Sequence, residues 1–191
     1  MIGLFGGAFD PPHNGHVALL ARARAALGLD EAVVVVTASP GHKEVQTAAG
    51  TRLALALAAF PGQRVLLDDH ARTVDLLRDH PEWEGAVFLV GADEFASFLG
   101  WKEPEEVLRL VQLGVATRPG VPRETLEPVL SLLSRPERVL FFDLEPFPIA
   151  SRELRAQLDR GEDVHELVPA AVWELIERDG LYGRPGYTES S

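Results

Sequence analysis

Six short apolar runs punctuate the chain, at residues 2–5, 32–36, 65–67, 86–90, 113–116 and 139–142, and each is built largely from Val, Leu, Ile, Phe or Ala. Runs of that length between polar or glycine-bearing segments read as buried strands. Stretches with helical spacing lie between them, at 17–27, 51–60, 73–78, 104–111 and 123–133. Parallel strands need a crossover, usually a helix. The alternation therefore predicts βαβ units and a doubly wound, Rossmann-like α/β fold on a parallel sheet. After the last run the pattern changes, and 151–158 and 169–178 read as two closing C-terminal helices, with Ser151 at the first N-cap and Pro169 in the first turn of the second. At 191 residues the expectation is one domain over 1–185, with 186–191 a flexible tail.

Composition narrows the function. The chain carries 18 basic and 29 acidic residues, a net charge of -11, which argues against a grip on nucleic acid or an anionic membrane face. A small anionic ligand held by a few placed cations is compatible. The absence of cysteine excludes thiolate nucleophiles, disulfides and Cys-type zinc sites. Met1-Ile2-Gly3-Leu4-Phe5 lacks the basic flank of a secretory signal, and no apolar run approaches the roughly 20 residues of a membrane span. A soluble, cytoplasmic protein without nucleic-acid or membrane partners is the expectation. A homo-oligomer is compatible with the sequence.

In a doubly wound sheet, ligands bind beyond the carboxyl ends of the strands. The loop after the first strand reads Gly6-Gly7-Ala8-Phe9-Asp10-Pro11-Pro12-His13-Asn14-Gly15-His16. Gly6 and Gly7 let a ligand approach the backbone, and Pro11 and Pro12 stiffen the connection. The G-x-G-x-x-G spacing of a dinucleotide fingerprint is missing. His13 and His16 lie three apart at a helix start, on one side, where amide groups and the helix dipole favour phosphate. Two other readings stand beside this one: a capping and a packing histidine, or a metal site formed with Asp10.

The eleven-residue loop resembles the GGxFDPxHxGH signature of the bacterial nicotinate-nucleotide adenylyltransferases, within the HxGH nucleotidyltransferase superfamily. The resemblance extends to Leu167-Val168-Pro169-Ala170-Ala171-Val172 and Leu181-Tyr182. It gives the other loops a meaning. Ser39-Pro40-Gly41-His42-Lys43 is similar to a family P-x-H-K stretch, whose lysine reaches the ATP phosphates, and Arg52 matches an arginine that is structural or substrate-positioning. Arg72-Thr73-Val74-Asp75-Leu76-Leu77 resembles SYTxDTL, which holds the nicotinate carboxylate, but Ala71-Arg72 replaces Ser-Tyr. Arg72 then either pairs with that carboxylate or points into water. Gly91-Ala92-Asp93 resembles the G-x-D that takes the nucleotide ribose, although Asp93 would serve equally as a helix N-cap. Trp101 resembles the tryptophan that stacks on the pyridine ring, against a reading as core aromatic. Residues 149–155 resemble ISSTxxR, keeping Ile149, Ser151 and Arg155 but with Ala150 and Arg152 in place of Ser and Thr.

The resemblance implies transfer of the adenylyl group of ATP to nicotinate mononucleotide, with Mg²⁺ on the phosphates and pyrophosphate released. It points to His13, His16, Lys43 and Arg155 as catalytic donors, with His16 the largest. Gly6, Gly7, Phe9, Gly15, Gly91, Asp93 and Ser151 are then the ATP contacts, and Arg72, Thr73 and Trp101 the mononucleotide contacts. No metal ligand is expected from the protein. An adenylyltransferase for nicotinamide mononucleotide or phosphopantetheine, or a non-catalytic nucleotide-binding regulator, is the alternative.

Overall fold

A computed structural model describes residues 1–40, 44–117, 125–145, 147 and 149–184. The six expected strands are β1 (Ile2–Gly7), β2 (Glu31–Thr37), β3 (Arg64–Asp68), β4 (Val87–Gly91), β5 (Gln112–Thr117) and β6 (Val139–Asp143). They form one sheet in the order β3-β2-β1-β4-β5-β6, every pair parallel. The described α-helices are α1 (Asn14–Leu27), α2 (Ala49–Ala59), α3 (Thr73–Asp79), α4 (Ala92–Ala96), α5 (Pro104–Leu110), α6 (Glu127–Leu130), α7 (Ser151–Asp159) and α8 (Ala170–Arg178).

The two-residue period of a strand sends alternate side chains to opposite faces. Leu4, Val33, Val35, Phe88, Val90, Leu113 and Val115 pack with Val74, Phe95, Val107, Leu108 and Val129, under α3 to α6. Phe5, Val34, Val36, Val87, Leu89 and Phe142 pack with Leu20, Leu55, Leu154, Val172 and Ile176, under α1, α2, α7 and α8. Both faces are covered, which is why the strands read as continuous apolar runs rather than as an alternating pattern.

Some boundaries differ from the sequence expectation. Helix α1 starts at Asn14 rather than 17, because His13 takes the extended N-cap conformation at φ −138° and ψ 171°. The helix expected over 123–133 is a single turn, Glu127–Leu130, and 123–124 lie outside the described residues. Pro128 has no N–H to donate and is confined to a first turn, and the Ser131 hydroxyl bonds back to its carbonyl. The five-residue α4 had no sequence signal. At α7 the cap is Ala150, not Ser151: its N–H donates to the Glu153 carboxylate at 2.8 Å, and Ser151 is the first helical residue. Pro169 stands one residue earlier than expected, at the N-cap of α8. The tail 186–191 lies outside the described residues. Among the described residues no helix is long and apolar enough to cross a membrane.

The strand order reverses between β1 and β4, and Gly7 and Gly91 end those two strands. A ligand crevice belongs beyond these ends.

Candidate active site

At the start of α1 the rings of His13 and His16 lie with centroids 3.8 Å apart, and the His13 ring stacks on Phe147 at 5.8 Å. Gly15 permits this: a Cβ there would come within 2.9 Å of both His13 Nδ1 and the Phe147 Cβ. The backbone N–H of His13 donates to His16 Nδ1 at 3.2 Å. In the neutral ring that bond assigns the His16 proton to Nε2, so His16 carries a donor there. The first turn of α1 contains no acidic residue, which leaves its dipole unopposed toward an anion.

His13 is buried, its Nδ1 has no hydrogen-bond partner among the described residues, and desolvation lowers its pKa from 6.5 to about 4. It is neutral at pH 7, so any bond it gives a phosphoryl oxygen comes from a dipole rather than a cation. The unfolded chain takes up this proton near pH 6.5 and the folded one only near 4. Stability from this group is therefore complete above pH 6.5 and falls as pH drops toward 4. Between pH 7 and 5 the loss is about 2 kcal/mol. Urea unfolding of the wild type and of His13→Asn at both pH values checks it: the wild type should lose about that much more than the variant.

Phe9, at φ 51°, turns its ring away from solvent against Phe5, Phe60 and His16, with centroids 5.4, 5.6 and 5.2 Å away. The ring backs His16 and is buried, so it offers no face to a ligand.

Asp10 is 1% exposed and its carboxylate is already occupied. Oδ1 accepts from the Thr47 hydroxyl at 2.6 Å and the Tyr182 hydroxyl at 2.7 Å, and Oδ2 accepts from the Gln46 N–H at 2.5 Å. These donors fill the positions a metal would need, so the reading of Asp10 as a metal ligand does not fit. Burial, reinforced by the Asp10 charge, pushes the Tyr182 hydroxyl well above its ordinary pKa and keeps it a donor.

Arg155, expected among the catalytic donors, is engaged within the protein. It is buried, with Nη1 donating to the Asp10 carbonyl at 2.8 Å and Nη2 to the Glu44 carbonyl at 3.2 Å. Its guanidinium is turned into the protein rather than out toward a triphosphate. The Ser151 hydroxyl is similarly spent on the Pro11 carbonyl at 2.9 Å. Arg52 is structural: at 1% exposure it donates to the carbonyls of Ala8, Thr37, Ala38 and Thr47. Together these three side chains fix the histidine loop to the segment after β2 and to the closing helices.

Beside this loop lies a cleft of about 370 Å³, bordered by Gly6, Gly7, Arg72, Thr73, Phe88 and Trp101. Trp101 is half-buried and braced edge-on by Phe88 at 6.1 Å and Phe98 at 5.3 Å. Arg72 is the exposed N-cap of α3, and among the described residues its guanidinium bonds only the Ala71 carbonyl. Gly91 caps the short α4, so Asp93 is not that cap; it is an exposed residue in the first turn.

The structure thus gathers Gly6, Gly7, Arg72, Thr73 and Trp101 around the cleft and sets His13, Gly15 and His16 at the neighbouring helix end. Lys43 lies outside the described residues. Residue-type reasoning missed the Asp10 hub and the cleft residues Asp68, His70 and Lys102. The doublet Asp68-Asp69 followed by His70 at a strand end was their only sequence signal.

The cytidylyltransferase-like family model matches residues 4–175. The chain is 37% identical to a probable nicotinate-nucleotide adenylyltransferase from Thermus thermophilus, over 95% of this chain and 98% of that protein. It is 35% identical to one from Bordetella avium, over 95% of this chain and 97% of that protein. A solved structure of Plasmodium falciparum nicotinic acid mononucleotide adenylyltransferase complexed with NaAD superposes with a TM-score of 0.72 at 18% identity, covering 96% of this chain and 98% of that one. At that identity it establishes the shared fold.

Proposed function

Because the chain belongs to the cytidylyltransferase-like family, and within it to the nicotinate-nucleotide adenylyltransferases, we propose that it transfers the adenylyl group of ATP to nicotinate mononucleotide in NAD biosynthesis. A phosphate oxygen of the mononucleotide attacks the α-phosphorus of ATP. The bond from that phosphorus to the β-phosphate bridging oxygen breaks as the new one forms, giving the dinucleotide and pyrophosphate. The attacking group is already an anion, so no strong general base is needed. Catalysis rests on alignment and on stabilising charge at the reacting phosphoryl group.

The observation that carries this reading is the pairing, at the β1/β4 switch, of two adjacent imidazoles on a helix N-terminus with a cleft walled by Trp101 and Arg72. The cleft would take the pyridine ring on Trp101 and its carboxylate at Arg72 and Thr73. ATP would lie along Gly6, Gly7, Gly91 and Asp93, with its α-phosphate at His16. Among the described residues no group of three or more His, Asp or Glu side chains is arranged to hold a metal ion, and the Asp10 oxygens are already held by donors. That donor set suits no resident ion. Mg²⁺ would accordingly enter as part of the substrate, MgATP, bound through phosphate oxygens and water.

The test is pyrophosphate release from MgATP with nicotinate mononucleotide, nicotinamide mononucleotide and phosphopantetheine offered separately. Release with the nicotinate form well above the other two is expected. Preference for another acceptor, or tight ATP binding with no release, would overturn the proposal. Trp101→Ala should raise KM for the mononucleotide about tenfold while leaving KM for ATP near wild type. Equal changes in both constants would make Trp101 a packing residue only.

A further inference from the structure

We infer that His70 is a positioning and specificity residue for the mononucleotide, tying down the connection that presents Arg72 and Thr73 and neutralising Asp68 at the wall of the cleft. The inference rests on the reading of this cleft as the mononucleotide site. His70 borders the cleft together with Asp68, Ala71, Arg72 and Thr73. Its Nδ1 lies 2.7 Å from Asp68 Oδ1 and its Nε2 lies 2.9 Å from Asp79 Oδ2. Its backbone N–H also donates to Asp68 Oδ1, at 2.9 Å. Asp68 ends β3 and Asp79 ends α3. One ring therefore bridges the C-terminal ends of the strand and the helix between which Arg72 and Thr73 border the cleft.

The bridge constrains the protonation state. Both ring nitrogens face carboxylates, and only the doubly protonated ring can donate to both. The Asp79 and Asp68 hydrogen bonds hold His70 above its ordinary pKa. The charge also matters to the ligand. Asp68 is 7% exposed and lines the cleft, so unpartnered it would set a poorly solvated negative charge against an anionic nucleotide. The imidazolium cancels that charge and leaves Arg72 to act on the substrate. Among the described residues the other charged groups here are Asp75 and Arg78, on the same helix, and Lys102 and Glu94, which line the cleft. Asp75 pairs with Lys102 at 2.9 Å and lies 3.9 Å from Arg78, while His70 is the side chain that meets the Asp68 carboxylate.

Calorimetric titration of the full chain with nicotinate mononucleotide, and separately with ATP, from about pH 5.5 to 9.5 tests this for the wild type, His70→Gln and Asp79→Asn. Wild-type affinity for the mononucleotide should fall as His70 loses its proton. His70→Gln should bind it about tenfold more weakly at pH 7, without that pH dependence. Asp79→Asn is a substitution of an exposed residue that keeps the Asp68 bond, so it serves even if His70→Gln fails to fold. It should move the fall in affinity to lower pH. A merely repulsive Asp79 would instead give tighter binding and an unmoved midpoint. ATP affinity should stay level throughout. Equal mononucleotide affinity of His70→Gln and wild type at pH 7, parallel weakening of ATP, or coincident midpoints for Asp79→Asn and wild type would overturn the inference. A wild type that binds the mononucleotide but releases no pyrophosphate would overturn the proposed reaction and leave the role of His70 standing.

Discussion

His16→Ala is expected to lower kcat by roughly 100- to 1000-fold, the range seen when one donor is removed from a charge-stabilising site. Its effect on nucleotide dissociation constants should be small by comparison. The asymmetry follows from where charge grows. As the mononucleotide oxygen approaches the α-phosphorus, negative charge builds on the phosphoryl oxygens, and a donor fixed at that position contributes more to the transition state than to bound ATP. His16 is fixed because its Nδ1 accepts the His13 N–H and its ring lies against Phe5 and Phe9. His16→Asn separates capping from chemistry: its side-chain oxygen can still take the His13 N–H, but its amide does not extend to the Nε2 position. Single-turnover rates and ATP binding should show both variants folded, nucleotide-competent and slow. Near wild-type turnover in either would remove His16 from the reaction.

Asp10→Ala is the second large effect, and it acts through the fold. The substitution leaves the buried Tyr182 hydroxyl, the Thr47 hydroxyl and the Gln46 N–H without their acceptor, and removes the carboxylate lying 3.9 Å from the Arg155 guanidinium. Breaking a buried charged network from one side costs about 3–5 kcal/mol. For a domain of this size that corresponds to a fall in Tm on the order of 10 °C. Tyr182→Phe removes a single donor and should cost only about 1 kcal/mol. Thermal unfolding of the two variants beside wild type tests the hub, and a Tm for Asp10→Ala within about 2 °C of wild type would show the network to be dispensable. Where Asp10→Ala remains folded at the assay temperature, it should also lose kcat, because the histidine loop is held through this carboxylate and the Asp10 carbonyl.

The fold was legible because its signal is local and repeated. The strands β2, β4 and β5 are buried on both faces, so their apolar runs survive as contiguous blocks, as in Val33 to Val36. The helices flanking the runs share a core-facing period. Short elements were not legible: α4 has five residues, too few for a period to develop, and α6 is cut to one turn by Pro128 and the Ser131 back-bond. The histidine loop was legible for a similar reason, since its glycines, prolines and two histidines fall within eleven consecutive positions.

Residue types and order determined the doubly wound sheet, the loop that must lie at its switch point and the aromatic and cationic residues available to a nucleotide. The tertiary structure decided how each polar group is used. Arg155 and Ser151 carry suitable donors for phosphate, yet both are turned onto backbone carbonyls of the loop they were expected to assist. Asp10 has the chemistry of a metal ligand and is instead a buried acceptor for donors 36, 37 and 172 residues away in sequence. His70 is held above its ordinary pKa by carboxylates at a helix end and a strand end that packing brings together. A side chain's type fixes what it can donate or accept. Its partners are set by long-range contacts, and burial then requires each polar group to be satisfied by whatever the fold has placed within reach.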